Sequence, residues 1–290
     1  MKIPFHRPNL PENYNTLFPE SVLKGWLTTG GVVNEFEEGL SKMLEADYVV
    51  AVNSCTAALH LALAAIGFGK NDRFIAPTLT FVSTVECGEY LGMQPYLVDC
   101  AKNSFLMDLN LVEDIIKKDD SVKAIIPVHY AGEAVSLASL KEIADKYGVY
   151  ILEDAAHALE TSSGGIKIGN TNHAAAFSFY ANKNLTTGGE GGAISTNDYN
   201  LARKIKKIAL HGITKDGWNR FKSNGNWEYD ITELGFKYNM TDVSASFGIW
   251  QLDKLKSWEL KRAKIFSKYA EGLRHLDGVI LPKYNDEHSK

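Results

Sequence analysis

Cysteine is scarce in this chain, three in 290 residues, and the scarcity narrows the chemistry at once. Cys55, Cys87 and Cys100 are odd in number and lack both the short paired spacing of a zinc site and a redox CxxC, which argues against a disulfide framework. Clustered histidine is lacking too. The eight histidines form no HExxH and no Cys/His group, which argues against a protein-built transition-metal site. No run approaches the roughly 18 apolar residues of a membrane span, and the amino-terminal MKIPFHRPNL has prolines and a histidine where a signal peptide carries its apolar stretch. Charge of one sign is not concentrated either: 31 basic against 35 acidic residues leave a net charge of −4 without a basic block, so the electrostatic footprint of a nucleic-acid partner is missing. The expectation is a cytoplasmic protein with no membrane and no nucleic-acid partner, whose harder chemistry comes from an organic cofactor or from acid-base side chains.

What is present is 45% hydrophobic and 11% aromatic, enough for one sizeable core or two unequal ones. From residue 48 to 180, short β-branched runs alternate with helix-like stretches, the pattern of strands covered on both faces by crossover helices. Strands are expected at 48–52, 74–76, 95–98, 123–128, 149–153, 174–180 and 193–196. Helices are expected at 56–66, 83–91, 110–118, 136–147 and 198–210, with two more at 241–255 and 257–276. This rhythm predicts an α/β fold of three αβα layers around a mainly parallel sheet. The stretch 211–233 is aromatic, polar and irregular, as functional or interface loops often are.

Ligand sites in open α/β sheets form at the carboxyl ends of strands. Three such junctions carry chemistry. Asn53-Ser54-Cys55-Thr56 places small residues at a helix N-terminus, where free N–H groups make an anion seat; a plain helix cap by Ser54 or Thr56 is the alternative. At the end of VYILED, alternation sends Glu153 and Asp154 to opposite faces, and Asp154 is the candidate for the ligand side; capping of the next turn, with His157 an ordinary part-buried histidine, is the alternative. Lys183 lies between an apolar strand and a glycine-rich loop, a setting that lowers a lysine pKa and frees a nucleophilic amine, unless it is simply solvated. Together, an anion seat, a carboxylate and an activated lysine are the parts that bind pyridoxal phosphate: phosphate on the helix, lysine on the aldehyde, acid on the pyridine nitrogen.

In this order NSCTAALHLAL, PTLTFVST, PVHYAG, EDAAHALE, FSFYANKNLTTGGEGGAIST and GFKYNMTDVSASFGIWQL resemble the DegT/StrS family of sugar aminotransferases over nearly the whole chain. The resemblance implies the aspartate-aminotransferase fold (fold type I), pyridoxal 5'-phosphate and a homodimer with active sites at the subunit interface. By motif, Lys183 corresponds to the lysine that holds the cofactor, Asp154 to the partner of the ring nitrogen, and His157 to the residue beside the ring. Phe81 falls where an aromatic ring stacks on the cofactor. Cys55 and Thr56 match the backbone phosphate contacts, and Ser178 the hydroxyl that assists them. Asn239, or less surely Lys237, matches a phosphate contact from the other subunit, and Glu190 a glycine-flanked glutamate near the site.

Departures from the family pattern are also legible. Cys55 stands where many members have glycine, and TTGGEGG is one glycine longer than the commoner form. The resemblance divides the chain into a large cofactor-binding domain over 1–250 and the start of a small C-terminal domain over 251–290. Family members continue further, so the expectation is either a truncated chain or a more open active site. The implied reaction moves an amino group from L-glutamate to a keto group of a nucleotide-linked deoxysugar, with HGITKDGWNRF and GFKYN resembling members that act on UDP-linked 4-keto sugars. A weak or regulatory homologue is the alternative in another class. Lys183 argues against the sugar dehydratases of the family, which need His there, and NSCTAA lacks the GxGxxG of a nicotinamide enzyme.

Overall fold

The computed structural model describes residues 4, 6–213 and 230–281. Its strands are β1 Tyr48–Val52, β2 Arg73–Pro77, β3 Gln94–Val98, β4 Val122–Ile125, β5 Tyr150–Asp154, β6 Ser162–Ser163, β7 Ile166–Lys167, β8 Ala174–Ser178 and β9 Gly192–Thr196. Its helices are α1 Glu20–Leu23, α2 Gly31–Leu44, α3 Cys55–Ile66, α4 Ser83–Glu89, α5 Leu109–Ile116, α6 Leu137–Tyr147, α7 Tyr199–Ile208 and α8 Asp242–Leu273. Seven strands form one sheet in the order β1-β9-β8-β5-β4-β2-β3, and β6 with β7 makes a small hairpin. Every pairing in the large sheet is parallel except those of β9, which runs against both β1 and β8. The α/β architecture and the mainly parallel sheet agree with the sequence pattern.

Side chains that alternate along the strands feed two faces. Val50, Val52, Phe74, Ala76, Leu152, Ala174 and Ala176 pack with α3 and α7. Val49, Ala51, Ala175 and Phe177 meet α2 and α8 on the other face, while Ile75, Ile125 and Ile151 meet α5 and α6. Burial of these apolar side chains, at roughly 25 cal/mol per Å², is the main stabilising term.

Two elements differ from expectation. The C-terminal pair of helices is one continuous helix, α8, running through position 250. Residues 249–271 contain neither glycine nor proline, and the Ser257 hydroxyl bonds back to the Lys254 carbonyl at 2.8 Å instead of capping a new helix. Helix α2 was not expected. Its apolar residues Val32, Val33, Phe36, Leu40 and Leu44 follow a helical period, but its N-terminus is capped from afar. The buried Asp242 carboxylate accepts the N–H groups of Gly30, Val32 and Val33, a pairing with no local signature. Part of the irregular stretch and most of HGITKDGWNRF lie outside the described residues.

Candidate active site

At the carboxyl end of β1 the chain turns directly into α3. The Ser54 hydroxyl caps the helix by accepting Ala57 N–H at 3.1 Å, so the N–H groups of Cys55 and Thr56, in the first turn, have no intrahelical acceptor. The cap and the seat therefore coexist: capping uses the third N–H and leaves two for an anion. Gly192, the first residue of β9, pairs with both Val52 and Ser178. A Cβ on Gly192 would lie 2.6 Å from the Cys55 nitrogen, closer than real contacts allow. Glycine there lets β9 touch the start of α3 and brings Ser178 to the same edge.

The loop 179–191 leaves β8 and returns into β9 at that edge. Phe179 N–H donates to the Gly191 carbonyl at 2.8 Å, Ala181 N–H to Gly189 at 2.9 Å and Lys183 N–H to Tyr180 at 3.0 Å. Gly189 has φ 136, in the region that favours glycine. Lys183 is half-buried, and burial lowers its pKa, opposed by Cys55 and Asp154. Glu190 is exposed, and its carbonyl accepts the Thr187 hydroxyl at 2.7 Å.

Asp154 ends β5, 4% exposed. Its Oδ1 accepts Ala156 N–H at 3.1 Å and its Oδ2 accepts the Thr84 hydroxyl at 2.6 Å. The turn-capping role and the α3–α4 face therefore hold together. His157 is exposed, with its Nδ1 accepting Ala131 N–H at 3.3 Å. Burial depresses its pKa first, the Lys183 charge depresses it further, and Asp154 opposes both. Cys55 is held well above its usual thiol value by burial and then by Asp154, which keeps it a thiol at neutral pH. Cys55, Asp154, His157 and Lys183 are thus linked electrostatically.

Phe81, 74% exposed, precedes α4 on the loop that brings Thr84 to Asp154. Asn239 pairs with Val52 beside the seat, donates to the Thr29 hydroxyl at 2.7 Å and accepts from Lys237. Two partners were not assigned from sequence. Thr84 stands in the PTLTFVST motif without an expected role. Glu153, sent by alternation to the opposite face, meets His129 Nε2 at 3.1 Å, both buried. His129 Nδ1 accepts Val135 N–H at 3.1 Å, so the ring hydrogen sits on Nε2 and donates to Glu153. A carboxylate inside a strand calls for such a partner, and His129, just past β4, was the available signal.

Among the described residues no helix is long and apolar enough to cross a membrane, and no group of three or more His, Cys, Asp or Glu could hold a metal. Comparison with known proteins gives a consistent picture. A spore coat polysaccharide biosynthesis protein of Bacillus subtilis, SpsC, is 38% identical over 285 residues, 98% of this chain and 72% of that one. An uncharacterized protein of Methanocaldococcus jannaschii is 39% identical over 280 residues, 97% of this chain and 72% of that one. Among solved structures, the sugar aminotransferase Spr1654 of Streptococcus pneumoniae in its PMP form superposes with TM-score 0.90 at 31% identity, covering 99% of this chain and 77% of that one. DesV of S. venezuelae, in complex with a ketimine intermediate, gives 0.87 at 29% identity over 95% and 70%. Spr1654 is also solved in its PLP form. The sequence profile of the DegT/DnrJ/EryC1/StrS aminotransferase family matches residues 9–290, and the chain belongs to that family of pyridoxal-phosphate-dependent enzymes.

Proposed function

We propose that this enzyme moves an amino group from L-glutamate to a keto group, at C4 as the first choice, of a nucleotide-linked deoxysugar, UDP being the leading nucleotide. The product would serve polysaccharide or related aminosugar synthesis, in line with the spore coat role in the name of the B. subtilis relative. One observation carries the reading: a half-buried lysine amine of lowered basicity coupled to a buried carboxylate and to the first residue of a helix.

The residues fit pyridoxal phosphate. Close packing of Gly192 on the Ser54–Cys55 peptide sets the start of α3 at the sheet edge, and the adjoining N–H groups are unspent. When bound, the cofactor supplies an aldehyde for the amine and a ring that accepts electrons from a carbanion. Cys55 and Thr56 would donate backbone N–H to the phosphate, assisted by the Ser178 hydroxyl and the helix dipole. Asp154 would hold the proton on the ring nitrogen in a charge-assisted bond about twice as strong as a neutral one. His157 would lie beside the ring, Phe81 would cover it, and Asn239 of the partner subunit would reach the phosphate in a homodimer. Lys183 Nζ would be the nucleophile toward the aldehyde and, once free, the acid-base group that carries a proton off the amino-bearing carbon of glutamate in one half-reaction and onto the sugar carbon in the other.

Lys183→Ala abolishes the visible absorbance of the loaded protein and lowers turnover by at least about 10²–10⁴-fold; retained turnover would reject the assignment. Mass spectrometry of products from a panel of nucleotide keto-sugars with glutamate identifies the acceptor. A panel with no aminated sugar would reject the acceptor class.

A further inference from the structure

Asp154 is joined to a second residue that the reaction above does not use. Thr84, on α4 and fully buried, donates its hydroxyl to Asp154 Oδ2 at 2.6 Å, and the Thr80 hydroxyl lies 2.6 Å from that of Thr84. A threonine has one hydroxyl hydrogen. Because Thr84 directs its own at the carboxylate, the Thr80 hydrogen points at Thr84, and the two make a directed chain toward Asp154. Thr80 adjoins the exposed Phe81. The other carboxylate oxygen is held by Ala156 N–H, so each oxygen has one protein donor.

We propose that Thr84, oriented by Thr80, is a positioning residue that sets how strongly Asp154 draws a proton from the cofactor's ring nitrogen; this rests on the role given to Asp154 above. A hydrogen bond to the charged form of an acid favours that form and lowers its proton affinity. The other titratable groups coupled to Asp154 are Cys55 of α3, Cys87 of α4, His157 of the turn after β5 and Lys183 of the loop. Burial raises both thiols. Thr84 adds a contact that does not titrate. Without it the carboxylate is more basic, draws the ring proton toward itself and weakens the ring's pull on electrons. The lysine-bound nitrogen then loses its proton at higher pH.

The test compares Thr84→Val, Thr84→Ser and Thr80→Val in the full chain loaded with pyridoxal phosphate, reading the pH midpoint of the visible band. Thr84→Val moves the midpoint up by about one pH unit, the size expected for losing one hydrogen bond to a charged group. Thr84→Ser restores the wild-type midpoint, and Thr80→Val moves it the same way by less. An unchanged midpoint in Thr84→Val overturns the proposal, as do equal shifts in the valine and serine variants, which would mark a packing effect. Should Thr84→Val not fold, Thr80→Val decides: an upward shift supports the chain of hydroxyls and an unchanged midpoint overturns it. A wild-type band whose midpoint is unmoved by Asp154→Asn overturns the role of Asp154, and the role of Thr84 with it; a midpoint that Asp154→Asn moves and Thr84→Val does not overturns Thr84 alone.

Discussion

Burial, more than any neighbouring charge, sets the basicity of Lys183: desolvation lowers it from the usual 10.5, while Cys55 and Asp154 pull it back up. A lowered value enlarges the neutral fraction of the amine at any given pH. Capture of pyridoxal phosphate by the cofactor-free chain should therefore reach its plateau rate below the pH an ordinary lysine requires. Asp154→Asn removes a charge that supports the ammonium, so the midpoint of that profile should fall further; stopped-flow absorbance measures both. On the far face of β5, His129→Ala leaves Glu153 buried without its donor. Loss of one member of a buried pair typically costs about 3 kcal/mol or more, readable in urea unfolding, whereas turnover per folded molecule changes little because the pair points away from Asp154.

Elements hold the lysine loop from two sides. Glu160, after His157, accepts Asn184 Nδ2 at 2.9 Å and Arg262 of α8 at 2.5 Å, while Thr186 N–H donates to Gln251 of the same helix at 3.3 Å. Glu160→Ala should free this clamp, and hydrogen exchange across 184–187 should quicken by about tenfold, with little change in the sheet. Gly192→Ala, at the join of β9 and α3, should weaken cofactor binding and cost about 1–3 kcal/mol in thermal unfolding, because its Cβ meets backbone that cannot yield. Strands and their crossover helices were legible in sequence because each run is short, apolar and bounded by turn residues. The unity of α8 was not, since Ser257 reads as a cap and acts as a back-bonded helix residue. Helix α2 escaped for a different reason: its cap, Asp242, lies about two hundred residues along the chain.

At the scale of the whole molecule, two carboxylates remote from the active site make stability depend on acid below pH 4. Glu113 is held at about 2, chiefly by Lys146 and then Tyr147, and Asp119 at about 2, chiefly by Ser121 and then Tyr96. Both folded values lie below the unfolded ones near 4, so their stabilisation is present above pH 4 and is lost as pH falls toward 2. Urea midpoints measured across that window should decline, and Glu113→Gln should flatten the decline. Of the candidate site, the residues closing each strand were legible because sheet topology sends them to a common edge. Thr84 and Gly192 were not, because their roles depend on which helix crosses which strand end.

The reversed direction of β9 has a mechanical result. Its opening residue, not its last, stands at the rim where β8 finishes, so Lys183 rides on a closed hairpin whose two stems are zipped together. A protease nick between positions 182 and 190 would leave every strand seated while halving the tether that aims the amine.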